Sequence, residues 1–162
     1  MIFHASIPAS EPERVARIVA KLWGSEYFPF VYPGSFVVLG GDDRGTLIEI
    51  LPRGLAHVPG PTESRMVADC PSPDYSEIHL NIATPLTFAE IEAIAAAEGW
   101  LARVCDRIAF NVIEVWLENK IMLELMTPIE LARYQQFTTL DNWRALTAGG
   151  PSPEVREKWG TT

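Results

Sequence analysis

Residues 2–7, IFHASI, and residues 77–83, EIHLNIA, decide the fold. Each alternates apolar and polar side chains, the period-two pattern of a strand with one buried face. A helix is expected after each. Val15, Ile18, Val19 and Leu22 fall at i, i+3, i+4 and i+7 after the first, and Phe88, Ile91 and Ile94 mark an Ala-rich stretch after the second. Ser10 with Glu13, and Thr87 with Glu90, have the spacing of a capping box. Gly24 and Gly99 stand where a helix end needs a left-handed residue. Three strands are then expected in each half: 27–32 (YFPFVY), 35–40 (SFVVLG) and 46–51 (TLIEIL), and again 101–107 (LARVCDR), 112–118 (VIEVWLE) and 121–126 (IMLELM). Both halves read βαβββ.

An offset of 75 residues superimposes them. It carries His4 onto His79, Ile7 onto Ile82, Gly24 onto Gly99, Val37 onto Val112 and Glu49 onto Glu124, so each His precedes its Glu by 45 residues (49 − 4 and 124 − 79). An internal repeat is the structural cause of such a match. The expected architecture is α+β, two βαβββ modules forming a cupped eight-stranded mixed sheet. Module one spans 1–52 and module two 77–127. The stretch 53–76 between them, proline-rich and aperiodic, reads as a linker or long excursion. Residues 128–145 are expected to be one helix starting at Pro128, ending a single domain over 1–145, and 146–162 a loosely ordered tail.

Composition bounds the function. The chain has 162 residues, 48% of them hydrophobic, enough for one core without disulfides or a structural metal. Thirteen Lys and Arg against 21 Asp and Glu leave a formal charge of −8 and no basic cluster, which argues against a nucleic-acid partner. No apolar run is long enough to span a membrane and MIFHASIPAS lacks the order of a signal peptide, so the expected compartment is the cytoplasm. Cys70 and Cys105, 35 residues apart, have no metal or redox spacing and are expected to be reduced. No GxSxG, P-loop or dinucleotide fingerprint is present.

Strand parity assigns faces. His4 and Ser6 oppose Phe3, Ala5 and Ile7; Glu49 opposes Ile48 and Ile50; His79 and Asn81 oppose Ile78, Leu80 and Ile82; Glu124 opposes Leu123 and Leu125. The helices must cover the apolar faces, so all four titratable residues are expected on the open side of the sheet. Any one of them alone reads as a solvated side chain. Together, His4, Glu49, His79 and Glu124 have the donor chemistry of a site for one divalent Zn, Ni, Co, Mn or Fe ion, with a position left for water or substrate. Trp116 and Glu114 share Glu124's face and line the cup or simply pack. Met122 and Met126 flank Glu124 on that face as an apolar wall or as gap-fillers. His57 is expected in solvent, and Asp42, Asp43 and Arg44 in a polar hairpin turn.

Over residues 2–127 these features resemble the vicinal-oxygen-chelate superfamily, which includes glyoxalase I, epimerases, extradiol dioxygenases and fosfomycin and bleomycin resistance proteins. FHASIPASEPERVARIVAKLWG resembles its opening segment with His4 in the first ligand position, TLIEIL supplies Glu49, EIHLNIA supplies His79 and MLELM supplies Glu124. The His, Glu, His, Glu order is that of bacterial glyoxalase I. The resemblance implies a metal-dependent isomerase or lyase acting on a small substrate with vicinal oxygens through an enediolate, with Glu49 and Glu124 as catalytic bases. Two alternatives accompany it: an Fe(II) extradiol-type dioxygenase using His4, His79 and Glu124, and a metal-free small-molecule binding or resistance protein. The sequence departs from the family at the last hairpin, where Glu118-Asn119-Lys120 replaces its usual turn, and no counterpart of the glutathione-binding basic residues is found. A homodimer is expected from the family's habit of pairing modules, with Leu131, Tyr134 and Phe137 as an apolar stripe that either meets a second copy or packs on its own domain.

Overall fold

The computed structural model describes residues 3–62, 64–76, 78–148 and 153. Module one runs β1 (His4–Ala9), α1 (Pro12–Trp23), β2 (Tyr27–Pro29), β3 (Phe36–Leu39) and β4 (Leu47–Pro52). After β5 (Ala56–Pro59) and β6 (Ser64–Val67), module two repeats the order: β7 (Leu80–Ala83), α2 (Phe88–Glu98), β8 (Ala102–Asp106), β9 (Asn111–Leu117) and β10 (Ile121–Met126). Helices α3 (Pro128–Phe137) and α4 (Leu140–Ala148) follow.

The modules form two four-stranded sheets of equivalent order, β1-β4-β3-β2 and β7-β10-β9-β8. In each, the first and last strands pair in parallel and the rest are antiparallel. This is the expected pair of βαβββ units, with β1 and β7 as edge strands rather than neighbours in one hydrogen-bonded sheet. Parity is obeyed. Ile7, Val38, Ile48 and Ile50 are buried with Val15, Ile18, Val19 and Leu22 of α1, and Ile113, Val115, Leu123 and Leu125 with Ile91 and Ala95 of α2, all in one core. Gly24 and Gly99 end the two helices at φ of 70° and 73°. The modules are also joined at the surface by Arg14 and Arg17, which donate to Glu98 at 2.6 and 3.2 Å, and in the interior by the Thr84 hydroxyl, which donates to the Leu22 carbonyl at 2.5 Å.

Four expectations are corrected. First, the Thr87–Glu90 capping box forms, but Ser10–Glu13 does not. Pro12 takes the first helical position, which moves the N-cap to Glu11 and puts Arg14, not Glu13, three residues on. The free N–H groups of Ser10 and Glu11 donate instead to the Glu118 carboxylate of module two, at 2.8 and 2.6 Å. Second, the 75-residue offset slips by two in the middle strands: Val37 faces Glu49, whereas Glu114 faces Glu124, a separation of 114 − 37 = 77. Residues 40–46 join β3 to β4, against 118–120 between β9 and β10. In the longer turn Asp42 accepts hydrogen bonds from the backbone of Arg44 and Thr46. In the shorter one Glu118 and Asn119 take φ of 51° and 55°, a two-residue left-handed hairpin turn.

Third, the aperiodic spacer holds a hairpin, β5–β6, with exposed His57 edge-on to Tyr32. Fourth, the C-terminal helix breaks at Thr138–Thr139 into α3 and α4. Pro128 does open α3, and two residues of the stripe meet the domain: Phe110 packs edge-on against Tyr134 and tilted against Phe137, with centroids 5.1 and 6.2 Å apart, while Leu131 is half-buried. Of the tail expected over 146–162, residues 146–148 belong to α4, and the rest, apart from residue 153, lies outside the described residues. Cys70 and Cys105 are free thiols. Among the described residues no helix is long and apolar enough to cross a membrane.

Candidate functional site

The two parallel strand pairs place equivalent side chains together. Ser6 faces Glu49 across β1–β4 and Asn81 faces Glu124 across β7–β10. The Ser6 hydroxyl donates to Glu49 Oε2 at 2.6 Å, and Asn81 Nδ2 donates to Glu124 Oε2 at 3.0 Å, each pair 43 residues apart in sequence. All four lie on the face turned away from the helices, as parity requires. His4 and His79 stand two residues before Ser6 and Asn81, on that face at the strand entrances, and both are exposed. They meet at one cavity of about 320 Å³ between the edge strands, whose walls include Phe3, Trp23, Leu47 and Leu80. A shallower depression of about 480 Å³ runs along α1 past Glu11, Arg14 and Arg17, away from these residues.

The two carboxylates differ. Glu49 is half-buried and accepts from Ser6. Glu124 is 7% exposed and sits opposite Glu114, 5% exposed, so two carboxylates are buried side by side. Arg107 bridges them: its Nη2 donates to Glu124 Oε1 at 2.6 Å and to Glu114 Oε1 at 2.8 Å. Arg103, facing Glu114 from β8, donates to its Oε2 at 2.8 Å, and the Trp116 indole N–H adds a longer contact of 3.3 Å. Burial pushes the Glu114 carboxyl up, but the hydrogen bonds from Arg107, Arg103 and Trp116 outweigh it and bring its pKa down to about 2. Burial opposes the charge on Arg107, and its bonds to Glu124 and Glu114 more than compensate, leaving it above the ordinary guanidinium value. Burial pushes the neighbouring Cys105 thiol up. Two carboxylates and two guanidiniums make a network of zero net charge.

The structure therefore brings His4 and His79 to one cavity and leaves each Glu with its own strand partner. Among the described residues, no three His, Cys, Asp or Glu side chains gather as a group that would hold a metal ion. The chemistry of the donor set agrees. Glu124 has both oxygens engaged, one by a guanidinium that never deprotonates, and a dication beside that guanidinium meets repulsion of roughly 4 kcal/mol per unit charge at 4 Å and an effective dielectric of 20. As placed, the four residues do not fit a chelated metal. Sequence reasoning missed Arg103 and Arg107. The signal was present in 101–107, since both have the parity that faces β9 residue Glu114, and a carboxylate on a covered face needs a cation.

No family model and no curated protein sequence matches the chain. Solved structures do. A fosfomycin resistance protein, FosX, from Mesorhizobium loti is 16% identical, with 82% of this chain and 96% of that one covered and a TM-score of 0.53. The trypanothione-dependent glyoxalase I of Leishmania major is 12% identical, covering 89% and 98% with a TM-score of 0.54. FosX from Listeria monocytogenes, in complex with Mn(II) and sulfate, is 11% identical, covering 85% and 97% with a TM-score of 0.54. The paired modules and these likenesses agree: the chain has the glyoxalase-like, vicinal-oxygen-chelate fold. Within that fold it carries a buried Arg–Glu network on the concave face of module two.

Proposed function

We propose that the chain binds a small molecule in the cavity between the edge strands of its modules and does so without a chelated metal. The observation that carries this reading is the engagement of Glu124, whose Oε1 is held by Arg107 and Oε2 by Asn81. The network fixes the wall of module two, and ligand contact falls to the cavity at the strand entrances. There Phe3, Trp23, Leu47 and Leu80 offer apolar area, and each imidazole of His4 and His79 presents one donor and one acceptor when neutral. A cavity of about 320 Å³ suits a molecule of one or two rings.

Elemental analysis of protein purified without chelator tests the reading. The expected result is less than about 0.1 equivalent of Zn, Ni, Co, Mn or Fe per chain, unchanged after incubation with each ion and desalting. One equivalent that disappears in Glu124→Gln would overturn it.

The second reading is the metal-dependent isomerase or lyase with His4, Glu49, His79 and Glu124 as ligands and the two Glu as bases. It is favoured by one observation, that His4 and His79 line the same cavity. In it Arg107 has to release Glu124, and the metal supplies polarisation of the substrate oxygens. The dioxygenase alternative needs the same release. Retained metal together with turnover of a hemithioacetal or a catechol would establish one or the other.

A further inference from the structure

Arg53 follows β4 directly, and its N–H donates to the Ala9 carbonyl at 2.8 Å, extending the β1–β4 ladder by one residue. It lies four positions beyond Glu49 (53 − 49), in the turn that follows β4, at the end of the strand pair away from His4. Its guanidinium makes one hydrogen bond, from Nη1 to the Pro73 carbonyl at 3.1 Å. Nε and Nη2 are buried and have no hydrogen-bond partner. The contrast with its peers is sharp: Arg14, Arg17, Arg103 and Arg107 each reach a carboxylate. Among the described residues Arg53 has no ion pair.

The unpartnered atoms are not a random pair. Nε and Nη2 form the side-on edge of the guanidinium, two near-parallel N–H groups spaced to meet both oxygens of a carboxylate or phosphate. A permanently charged edge buried without an acceptor is costly, so such a group calls for a partner. The chain that reaches Arg53 from outside is the proline-rich stretch 70–75, tied by Cys70 N–H to the Gly54 carbonyl at 2.9 Å and by the Pro73 carbonyl. Tyr75 at its end lies edge-on to Trp116, across on module two.

We propose that Arg53 is an oxyanion anchor at the end of the β1–β4 pair remote from the His4–His79 cavity: a carboxylate or phosphate group whose two oxygens accept from Nε and Nη2 enters as the 70–75 stretch lifts. The inference goes beyond the small-molecule reading above, because it concerns a second position in the fold. The chain carries a net charge of −8, and among the described residues these buried Nε and Nη2 atoms have no acceptor.

The test uses the full chain with three probes: benzoate, inorganic phosphate and the uncharged benzamide. The arginine Nε–H resonances are followed by two-dimensional NMR, with Arg53 assigned by its loss in Arg53→Lys, and affinities are measured by calorimetry. Benzoate, phosphate or both are expected to shift the Arg53 Nε–H, and the affinity is expected to fall about tenfold or more in Arg53→Lys, which keeps the charge and loses the fork. Response to benzoate alone assigns a carboxylate ligand, response to phosphate alone a phosphoryl one. The anchor is overturned if neither anion moves the resonance, or if Arg53→Lys binds them as tightly as the wild type. Equal binding of benzamide and benzoate, unchanged in Arg53→Lys, overturns the anchor while leaving the cavity between the edge strands as a small-molecule site. Metal content of the same sample decides the metal-free reading separately. The wild-type calorimetric titration does not depend on the variant folding.

Discussion

Modules one and two share a backbone address and use it differently. In both, a Glu on the last strand accepts from the polar residue opposite it on the first, Ser6 to Glu49 and Asn81 to Glu124. One strand further out the modules part. Glu49 faces Val37, which faces Phe28, whereas Glu124 faces Glu114, which faces Arg103. The cause is coverage. Over module two, α3 lies against β10 and Tyr75 against Trp116, and Val112, Met126, Glu114 and Glu124 are all buried on that face. A carboxylate taken out of water has to be paired, and Arg107 and Arg103 pair it. Glu49 keeps partial access to solvent and needs no cation. A sequence repeat thus conserves position without conserving electrostatic duty.

The largest effect is expected from Arg107→Leu. It leaves two buried carboxylates with only half-exposed Arg103 between them, a loss of about 3–5 kcal/mol in urea denaturation. Glu124→Gln, which leaves Arg107 one carboxylate fewer, is expected to cost about 2 kcal/mol. A loss below about 1 kcal/mol for Arg107→Leu would mean that apolar packing, not the network, holds the covered face.

Acid titration sharpens the same contrast. Glu114 has a folded pKa of about 2 against an ordinary 4.5, a depressed value, so its contribution is complete above pH 4.5 and is lost as the pH falls toward 2. That difference is worth on the order of 3 kcal/mol. Stability measured by urea at pH 5, 4, 3 and 2.5 is expected to fall steeply in the wild type and less steeply in Glu114→Gln. Parallel profiles would refute the assignment.

How much of this was legible in the sequence follows from what each pattern encodes. Alternation in IFHASI and EIHLNIA, and the matched glycines at 24 and 99, gave the paired βαβββ units, because periodicity reports the buried face directly. The concave placement of Glu49 and Glu124 followed from parity. The two-residue slip of Val37 against Glu114 was not legible, since it depends on how the β3–β4 turn closes, and the identical Val residues at 37 and 112 masked it. The Ser10–Glu13 spacing misled because Pro12 competes for the helix start. The pairing of Glu124 with Arg107 was hidden because it depends on burial by α3 and the spacer, and coverage by a distant segment leaves no local signal.

Helix starts give a smaller test of the asymmetry. Module two caps its own helix, so Thr87→Ala is expected to cost about 1 kcal/mol. Module one borrows its cap across the molecule, so Glu118→Ala is expected to cost a similar amount, about 1 kcal/mol, by releasing the N–H groups of Ser10 and Glu11. Amide hydrogen exchange locates the damage: faster exchange in the first turn of α1 on mutating residue 118, and in the first turn of α2 on mutating residue 87.

The smallest effect is expected at Glu49, and it is the one that isolates coverage as the cause. Glu49→Gln keeps the size and an oxygen that accepts from the Ser6 hydroxyl, removes a charge that is partly in water, and strands no buried cation. Its unfolding free energy is expected to stay within about 0.5 kcal/mol of the wild type, against about 2 kcal/mol for the same change at Glu124. Both substitutions fall at equivalent positions of the repeat and both remove one negative charge, so net charge and strand register cancel in the comparison. Equal losses at the two sites would show that the repeat-related carboxylates do the same structural work despite their different neighbours, and the argument from coverage would fail.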